Sequence, residues 1–327
     1  MNKIPLYYDD ICLIPDNYSE LETRDNADTS VDFLGFNVKN CVIPANMSSV
    51  VNVDVCRKLA QNGYFYSMHR FGFVDGGMEM ISVTRDLIET ANAERWPLVS
   101  VSTGVGKDSY NDLKWMIDNS HLNIDVITVD VALGFHKQVA EVIKFIKKEL
   151  PDTKIVAGNI AGPKAANFLC DLGVDAIKLG IGQGAVCSTK LQTGFTAPML
   201  WSIAHTVEVT DSYNIPIIAD GGIKNIGDIA KALVFGAKMV MAGGLFAPCI
   251  DSAAKLNDQG KKEYFGSASF HCKKHDRHVE GFMVGLQADK TILEKMNEVN
   301  QSLASAISYA GGTALADLKG IDYLVIR

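Results

Sequence analysis

The feature that most constrains the fold is a series of short, β-branched apolar segments that alternate with longer amphipathic stretches. There are eight such segments, at residues 42–45, 64–68, 98–102, 125–130, 154–158, 175–179, 215–219 and 238–242. Near-continuous apolar strands are typical of a parallel sheet that is covered on both faces. Their alternation with helices predicts an α/β fold, and the number eight favours a (β/α)8 TIM barrel. A doubly wound open sheet is the alternative, because periodicity does not reveal whether a sheet closes.

The longer stretches have the spacing of helices with one apolar face. Residues 139–150 are apolar at positions 139, 142, 143, 145, 146 and 150, and residues 225–235 and 293–310 show a similar pattern. We expect a single TIM-barrel domain over residues 1–327. Two regions lie outside the alternation. The polar residues 1–40 are predicted to cap the barrel bottom, and the charged residues 250–290 are predicted to form a flap.

Composition excludes several classes of protein. The 327 residues are 47% hydrophobic, which is enough for a large buried core. A net charge of −7 without a basic block argues against nucleic acid as a partner. Seven cysteines without a CxxC pair argue against a disulfide framework. The first residues lack the apolar core of a signal peptide, and no apolar run approaches the ~20 residues of a membrane span. We therefore expect a reduced, cytoplasmic protein with no membrane partner.

Each predicted strand is followed by polar or ionisable side chains that could bind a ligand or react, or by glycine-rich turns. They are Asn46, His69, Thr103 and Gly104, Asp130, Asn159, residues 180–187, residues 220–222, and Gly243 and Gly244. The carboxyl ends of barrel strands form one rim, and TIM-barrel active sites lie there. The sequence therefore predicts a site on this rim.

One cysteine stands in a setting that suits a nucleophile. Three glycines precede Cys187 in a loop after the segment 175–179, and Thr189 lies two residues further on. A thiol is a strong nucleophile near neutral pH, and glycine-rich turns bring backbone amides close to a ligand. Thr189 could relay a proton if a carboxylate drives it, and Glu280 in the flap is a candidate. The alternatives are a turn role for Thr189 and a surface position for Glu280. The other six cysteines are expected to be small buried hydrophobes.

Two glycine pairs late in the barrel suggest an anion site. Gly221 and Gly222 follow the seventh segment, and Gly243 and Gly244 follow the eighth. This is where TIM barrels commonly bind phosphate through backbone amides. Asp220 could accept hydrogen bonds from vicinal ribose hydroxyls, or it could cap the next helix.

The motifs along the chain together resemble one family. The loop 180–190 is similar to the catalytic loop of the IMP dehydrogenase/GMP reductase family. Further matching segments occur in order over residues 8–327, at 45–47, 68–71, 156–159, 219–222, 264–269, 279–281 and 308–312. The chain has no room for the paired regulatory insert common in IMP dehydrogenases, and its flap lacks their Arg-Tyr pair.

The resemblance implies a TIM barrel that converts GMP to IMP and ammonia with NADPH, through a thioimidate on Cys187, with Thr189 and Glu280 as the proton relay. The alternatives are oxidation of IMP and a nucleotide-binding protein that has lost catalysis. The implied GMP contacts are Asp220, Gly221, Gly222, Gly243, Gly244, Tyr264, Gly266, Ser267, Arg277 and Gly281. The implied NADPH contacts are Asp130, Asn159, Thr103, Gly104, His69 and Arg70. Carbonyls of Gly182, Gly184 and Cys187 could hold a K⁺ ion, and a homotetramer is expected.

Several positions depart from the family pattern. The loop has Gln183 and Ala185 in place of the usual Pro and Ser, and that serine helps to bind phosphate. Leu133 replaces a polar residue near the nicotinamide, with His136 as a potential substitute. Phe282 replaces a lysine after Glu280 and Gly281.

Overall fold

The computed structural model describes residues 5–75, 80–270 and 279–326, which form an α/β fold around one parallel sheet. Its seven strands lie side by side in the order Val42–Pro44, Met239–Ala242, Ile217–Asp220, Ala176–Leu179, Lys154–Ile160, Val126–Asp130 and Ser100–Thr103. All neighbouring strands are parallel. The first of these strands in the chain pairs with the last, as a closed barrel requires. This topology confirms the predicted TIM-barrel class and argues against the open sheet.

The second predicted strand, residues 64–68, is irregular and is the one that the seven-stranded sheet lacks. Met68 alone forms a parallel bridge, with Val101, and its amide donates to the Ser100 carbonyl at 3.0 Å. Side chains close the remaining gap, because Asn46 Nδ2 donates to Ser102 Oγ at 2.9 Å. Asn46 follows one edge strand of the sheet and Ser102 belongs to the other. The two edges therefore meet, and the sheet curls into a barrel with one irregular segment.

The helices follow the strands much as the periodicity predicts. Their bounds are Val53–Gln61, Val83–Ala93, Lys107–Asp118, Lys137–Glu149, Pro163–Asp171, Thr189–Thr193, Met199–Thr210, Gly227–Val234 and Ile292–Tyr309. Lys137–Glu149 buries Val139, Val142, Ile143 and Ile146, which are positions of the predicted apolar face. The helices predicted at 225–235 and 293–310 are also confirmed within two residues at each end. None of the helices in the described ranges is both long and apolar enough to cross a bilayer.

Residues before the barrel pack at its amino end. The hairpin Val31–Phe33 with Phe36–Val38 is antiparallel. Residues 30–35 line a cavity of about 1040 Å³ together with Lys154, Asp175 and Lys238, which stand at or just before the amino ends of barrel strands. A second antiparallel pair joins Ile11–Leu13 to Tyr323–Val325 near the two chain ends. The hairpin thus lies at the predicted cap position, while the cap boundaries at 1–40 stay a prediction.

The region predicted as a flap, 250–290, contains regular structure. Lys261–Phe265 pairs antiparallel with Met283–Gln287. Lys262 and Tyr264 point inward, and Lys262 Nζ donates to the carbonyls of Ser252 and Ala254 at 3.3 and 2.9 Å. The strand Lys261–Phe265 was not predicted from the sequence, because one of its two inward side chains is a lysine. Phe73–Asp75 and Met80–Ser82 form another antiparallel pair, beside the rim.

Candidate active site

The cysteine loop connects the strand Ala176–Leu179 to the short helix Thr189–Thr193. Gly180 begins the loop with φ of 137°, and a Cβ there would lie 2.0 Å from the Asp220 carbonyl oxygen. Only glycine fits this conformation and this close approach. Further along, the Cys187 amide donates to the Gly184 carbonyl at 3.0 Å, which fixes the turn that presents the thiol.

A chain of hydrogen bonds joins the thiol to a carboxylate. The Cys187 thiol donates to Thr189 Oγ1 at 3.2 Å, and the Thr189 hydroxyl donates to Glu280 Oε2 at 2.5 Å. The three side chains are half-buried. Their order places the hydroxyl between sulfur and carboxylate, so a proton can pass along the chain in either direction.

The backbone holds Glu280 at the cysteine loop. Cys187 forms an antiparallel bridge with Gly281, the Ser188 amide donates to the Glu280 carbonyl at 2.9 Å, and the Phe282 amide donates to the Val186 carbonyl at 3.1 Å. Glu280 is 91 residues from Thr189 in the chain. The structure therefore brings together the three residues that spacing alone did not link.

The other described cysteines differ from Cys187. Burial raises the pKa of the Cys41 thiol to about 12, of Cys170 to about 11 and of Cys249 to about 12, and it also raises the pKa of Cys56. Cys12 is exposed and Cys187 is half-buried. Buried thiols with raised pKa values remain protonated and inert, as predicted, in these four cysteines. The same prediction is wrong for Cys12, because its side chain lies on the exposed face of the strand Ile11–Leu13. Cys272 lies outside the described residues.

A buried lysine joins two rim carboxylates. Lys178 Nζ lies 2.7 Å from Asp130 Oδ1 and 2.6 Å from Asp220 Oδ2. Asn159 Nδ2 also donates to Asp220 Oδ2, at 2.9 Å, and to the Gly180 carbonyl at 2.7 Å. Lys178 was not among the predicted site residues, although a lysine inside an apolar strand could have indicated it.

The charges of this cluster are set by its own contacts. Burial lowers the pKa of Lys178, but the carboxylates of Asp130 and Asp220 outweigh it and hold that pKa above its usual value. Burial raises the pKa of Asp130, but Lys178 outweighs this effect, with smaller contributions from Arg70 and Asn46, and the net pKa is below its usual range. Asp130 and Lys178 are therefore charged at neutral pH.

The predicted phosphate turns lie beside Asp220. Gly221 and Gly222 both have positive φ, at 92° and 80°. A Cβ on Gly243 would lie 2.3 Å from the Tyr264 hydroxyl, whereas one on Gly244 would meet nothing within 4 Å. Gly244 thus borders open space large enough for a ligand atom. The predicted alternative for Asp220 as a helix cap is wrong, because the next helix begins at Gly227 and Asp220 Oδ2 faces Lys178.

The turn after Tyr264 also reaches the cysteine loop. A Cβ on Gly266 would lie 3.1 Å from the Val186 carbonyl oxygen and 3.5 Å from Gly281 Cα. Ser267 is half-buried in the same turn. Arg277 lies outside the described residues.

The predicted cofactor residues Arg70, Thr103 and Gly104 lie close to one another, near Asp130. Arg70 Nε donates to the Asp130 carbonyl at 3.3 Å, and Arg70 and Thr103 line a cavity of about 170 Å³. The Gly104 amide donates to Ser109 Oγ at 3.0 Å. Asn159 Oδ1 is buried, and no described residue donates to it. A free buried acceptor at this position fits the amide N–H of a nicotinamide.

His69 has a different environment from its neighbours. Its Nδ1 accepts the Phe71 amide at 3.1 Å, and burial lowers the pKa of the imidazole to about 4. A neutral, buried ring that holds a backbone amide supports the loop that carries Arg70. Direct contact of His69 with a cofactor stays a prediction.

The structure shows the surroundings of residues that depart from the family pattern. Leu133 and Phe135 are exposed, and the Phe135 ring packs 5.0 Å from that of Phe168. His136 Nδ1 caps the helix Lys137–Glu149 by accepting the Gln138 amide at 3.2 Å, and a role of His136 in place of the missing polar group stays a prediction. Gln183 Nε2 donates to the Ala197 carbonyl at 2.6 Å and so braces the cysteine loop.

Within the described ranges, no group of three or more His, Cys, Asp or Glu side chains is arranged to hold a metal ion. A monovalent-cation site built from the carbonyls of Gly182, Gly184 and Cys187 stays a prediction.

Comparison with known proteins gives consistent matches. The model of the IMP dehydrogenase / GMP reductase domain matches residues 5–325. A protein named GMP reductase from Streptococcus pneumoniae strain Hungary19A-6 is 40% identical over 331 residues, with 100% of this chain and 97% of the relative covered. GMP reductase from S. pneumoniae serotype 2 strain D39 is 41% identical over 334 residues, with the same coverage.

Proposed function

Because the chain belongs to the IMP dehydrogenase/GMP reductase family, we propose that it is a GMP reductase, which converts GMP to IMP and ammonia with NADPH. The observation that carries this proposal is the chain of hydrogen bonds from Cys187 through Thr189 to Glu280. Replacing the C2 amine of guanine by hydrogen requires a nucleophile, a proton for the leaving amine and a hydride donor. Cys187 supplies the nucleophile, and Thr189 with Glu280 delivers the proton.

The relay moves one proton in two directions. Glu280 first takes the thiol proton through Thr189, which leaves a thiolate that adds to C2 of the purine. The same proton then returns through Thr189 to the C2 amine, and the C–N bond breaks as ammonia leaves. The purine stays bound to Cys187 as a thioimidate. After reduction at C2, the C–S bond breaks, and IMP and the thiolate are released.

The remaining contacts position the nucleotide. We propose that the GMP ribose donates its hydroxyls to Asp220, and that backbone amides of Gly222, Gly243 and Gly244 hold the phosphate. The turn formed by Tyr264, Gly266 and Ser267 would close over the phosphate, with Gly221, Gly281 and Arg277 as further contacts. The open space beside Gly244 supports this placement.

When bound, NADPH supplies the hydride that reduces C2. The residues that would hold its nicotinamide are Asp130, Asn159, Thr103, Gly104 and Arg70. The unpaired Asn159 Oδ1 fits the carboxamide, and the Arg70 guanidinium adds positive charge beside Asp130. A K⁺ ion at the cysteine loop, a homotetramer, a cytoplasmic location and a role in purine nucleotide salvage complete the proposal.

One assay separates this function from its alternatives. Reduced nicotinamide absorbs in the near ultraviolet, so its decay with GMP and NADPH would support the reductase. Its growth with IMP and NAD would identify an IMP dehydrogenase instead. If the absorbance changes with neither pair while GMP binding is measurable, the chain is a nucleotide-binding protein without catalysis. This result would overturn the proposal.

A further inference from the structure

We propose that Lys178 is a positioning residue that holds the ribose carboxylate of Asp220 and the cofactor-side carboxylate of Asp130 in place as a pair of anions. This inference rests on the proposed function for the assignment of the two ligand sites. The contacts themselves come from the structure, because Nζ lies within 2.7 Å of one oxygen of each carboxylate. One ammonium group therefore lies between the two halves of the active site.

A glycine on the neighbouring strand leaves space for the Lys178 side chain inside the barrel. Lys178 pairs with Gly158 on one neighbouring strand and with Ile218 on the other. A Cβ at Gly158 would lie 2.3 Å from the Lys178 carbonyl oxygen and 2.8 Å from Lys178 Cβ. The lysine side chain is 3% exposed, whereas the two carboxylates are 16% and 19% exposed. The cation thus stays inside the barrel while both anions reach the rim.

Without the ammonium group the two carboxylates would repel each other. The two oxygens lie at most about 5.3 Å apart, which is the sum of their distances to Nζ. Two carboxylates this close in a partly buried site raise the pKa of the pair, so that one takes up a proton. Lys178 therefore keeps both groups available as hydrogen-bond acceptors.

The other charged and titratable groups around the pair do not replace Lys178. Arg70 lowers the pKa of Asp130 only as a smaller contribution. Burial raises the pKa of the Tyr8 and Tyr264 phenols, with the charges of Asp228 and Asp220 as further causes for Tyr8 and that of Asp220 for Tyr264. Both are neutral at the pH values where carboxylates titrate. Asn46 and Asn159 carry no charge.

The first test needs no ligand. We expect Lys178→Met to show the infrared absorption of a protonated carboxyl group near neutral pH, lost at alkaline pH and absent from the wild type and from Lys178→Arg. The double variant Lys178→Met/Asp130→Asn should lose this signal, because only one carboxyl of the pair remains. Lys154→Met is the matched control, since it removes a lysine paired with Asp175 at 3.1 Å at the amino end of the same sheet. Circular dichroism checks that each variant folds.

The second test measures function against pH. With GMP saturating, Asp220 is engaged as an anion, so a proton on the pair has to leave Asp130 before the cofactor binds. We expect kcat/KM for NADPH in Lys178→Met, relative to the wild type, to fall about tenfold for each pH unit below the raised pKa of the pair. Lys178→Arg and Lys154→Met should follow the wild-type profile within about threefold.

The outcomes are distinct. A Lys178→Met protein with no carboxyl signal and a wild-type pH profile would overturn the inference. If Lys178→Met does not fold, the double variant with Asp130→Asn decides. It should fold because it removes one charge of each sign, and its failure would show that the lysine matters for packing rather than for charge. If the wild type does not oxidise NADPH with GMP while the carboxyl signal appears in Lys178→Met, the proposed function fails and the role of Lys178 in the cluster stands.

Discussion

Removal of Thr189 and Glu280, the two members that serve the thiol, tests whether the relay acts as one unit. Among the described residues, the hydrogen bonds that join Glu280 to the Cys187 sulfur run through the Thr189 hydroxyl, over contacts of 3.2 and 2.5 Å. Thr189→Val removes the hydroxyl and keeps the shape of the side chain, and Glu280→Gln removes the proton acceptor and keeps the length. Either change interrupts the same path.

The expected magnitudes follow from that geometry. Loss of a positioned acid–base group lowers the rate by about 10²- to 10⁴-fold, or about 3–5 kcal/mol in the barrier. Because both residues serve one path, the double variant should lose no more than about threefold beyond the worse single variant. Two independent contributions would instead multiply, to a loss of about 10⁴-fold or more.

The assay follows NADPH oxidation at saturating GMP, with ammonia release measured in parallel. Thr193→Val is the matched control, because Thr193 lies in the same short helix and its hydroxyl donates to the Thr189 carbonyl at 2.7 Å, outside the path. It should retain most of the wild-type kcat. Multiplicative losses in the double variant, or a Thr189→Val enzyme within a few-fold of the wild type, would refute a relay through Thr189.

Three further predictions concern the nucleophile, the loop and stability against pH. Cys187→Ala should abolish turnover and leave GMP affinity within about threefold in calorimetry, and mass spectrometry should find the purine adduct only on wild-type Cys187; appreciable residual turnover would exclude the covalent route. Gly180→Ala should destabilise the fold by at least about 2 kcal/mol in urea unfolding, because its Cβ would lie 2.0 Å from the Asp220 carbonyl oxygen; an unchanged midpoint would mean that the loop shifts freely. The His69 pKa of about 4 in the folded state lies below the unfolded value of about 6.5, so the unfolded chain binds the extra proton first, and stability should fall by about 3 kcal/mol as the pH drops from 6.5 to 4. His69→Gln should reduce this loss, whereas identical acid profiles for the two proteins would place the imidazole in water.

Local patterns in the sequence were sufficient for much of the framework. Apolar strands that alternate with amphipathic helices specified the α/β barrel, because each strand has to be buried on both faces and each helix on one. The helix Lys137–Glu149 buries side chains that the periodicity had assigned to its apolar face. The glycine-rich loop indicated Cys187 as the candidate nucleophile, since conformational freedom and a thiol occur within a few residues.

Contacts between distant residues depended on the tertiary structure. Glu280 meets Thr189 because Gly281 pairs with Cys187, a register that no local pattern encodes. Lys178 is stable inside the barrel only because Asp220, on the adjacent strand, and Asp130, two strands away on the other side, both approach it. His69 and His136 looked like polar rim residues, and the fold uses their ring nitrogens to hold backbone amides. Burial and hydrogen-bond partners are set by strand register and closure of the sheet, so the chemistry of these side chains was decided in three dimensions.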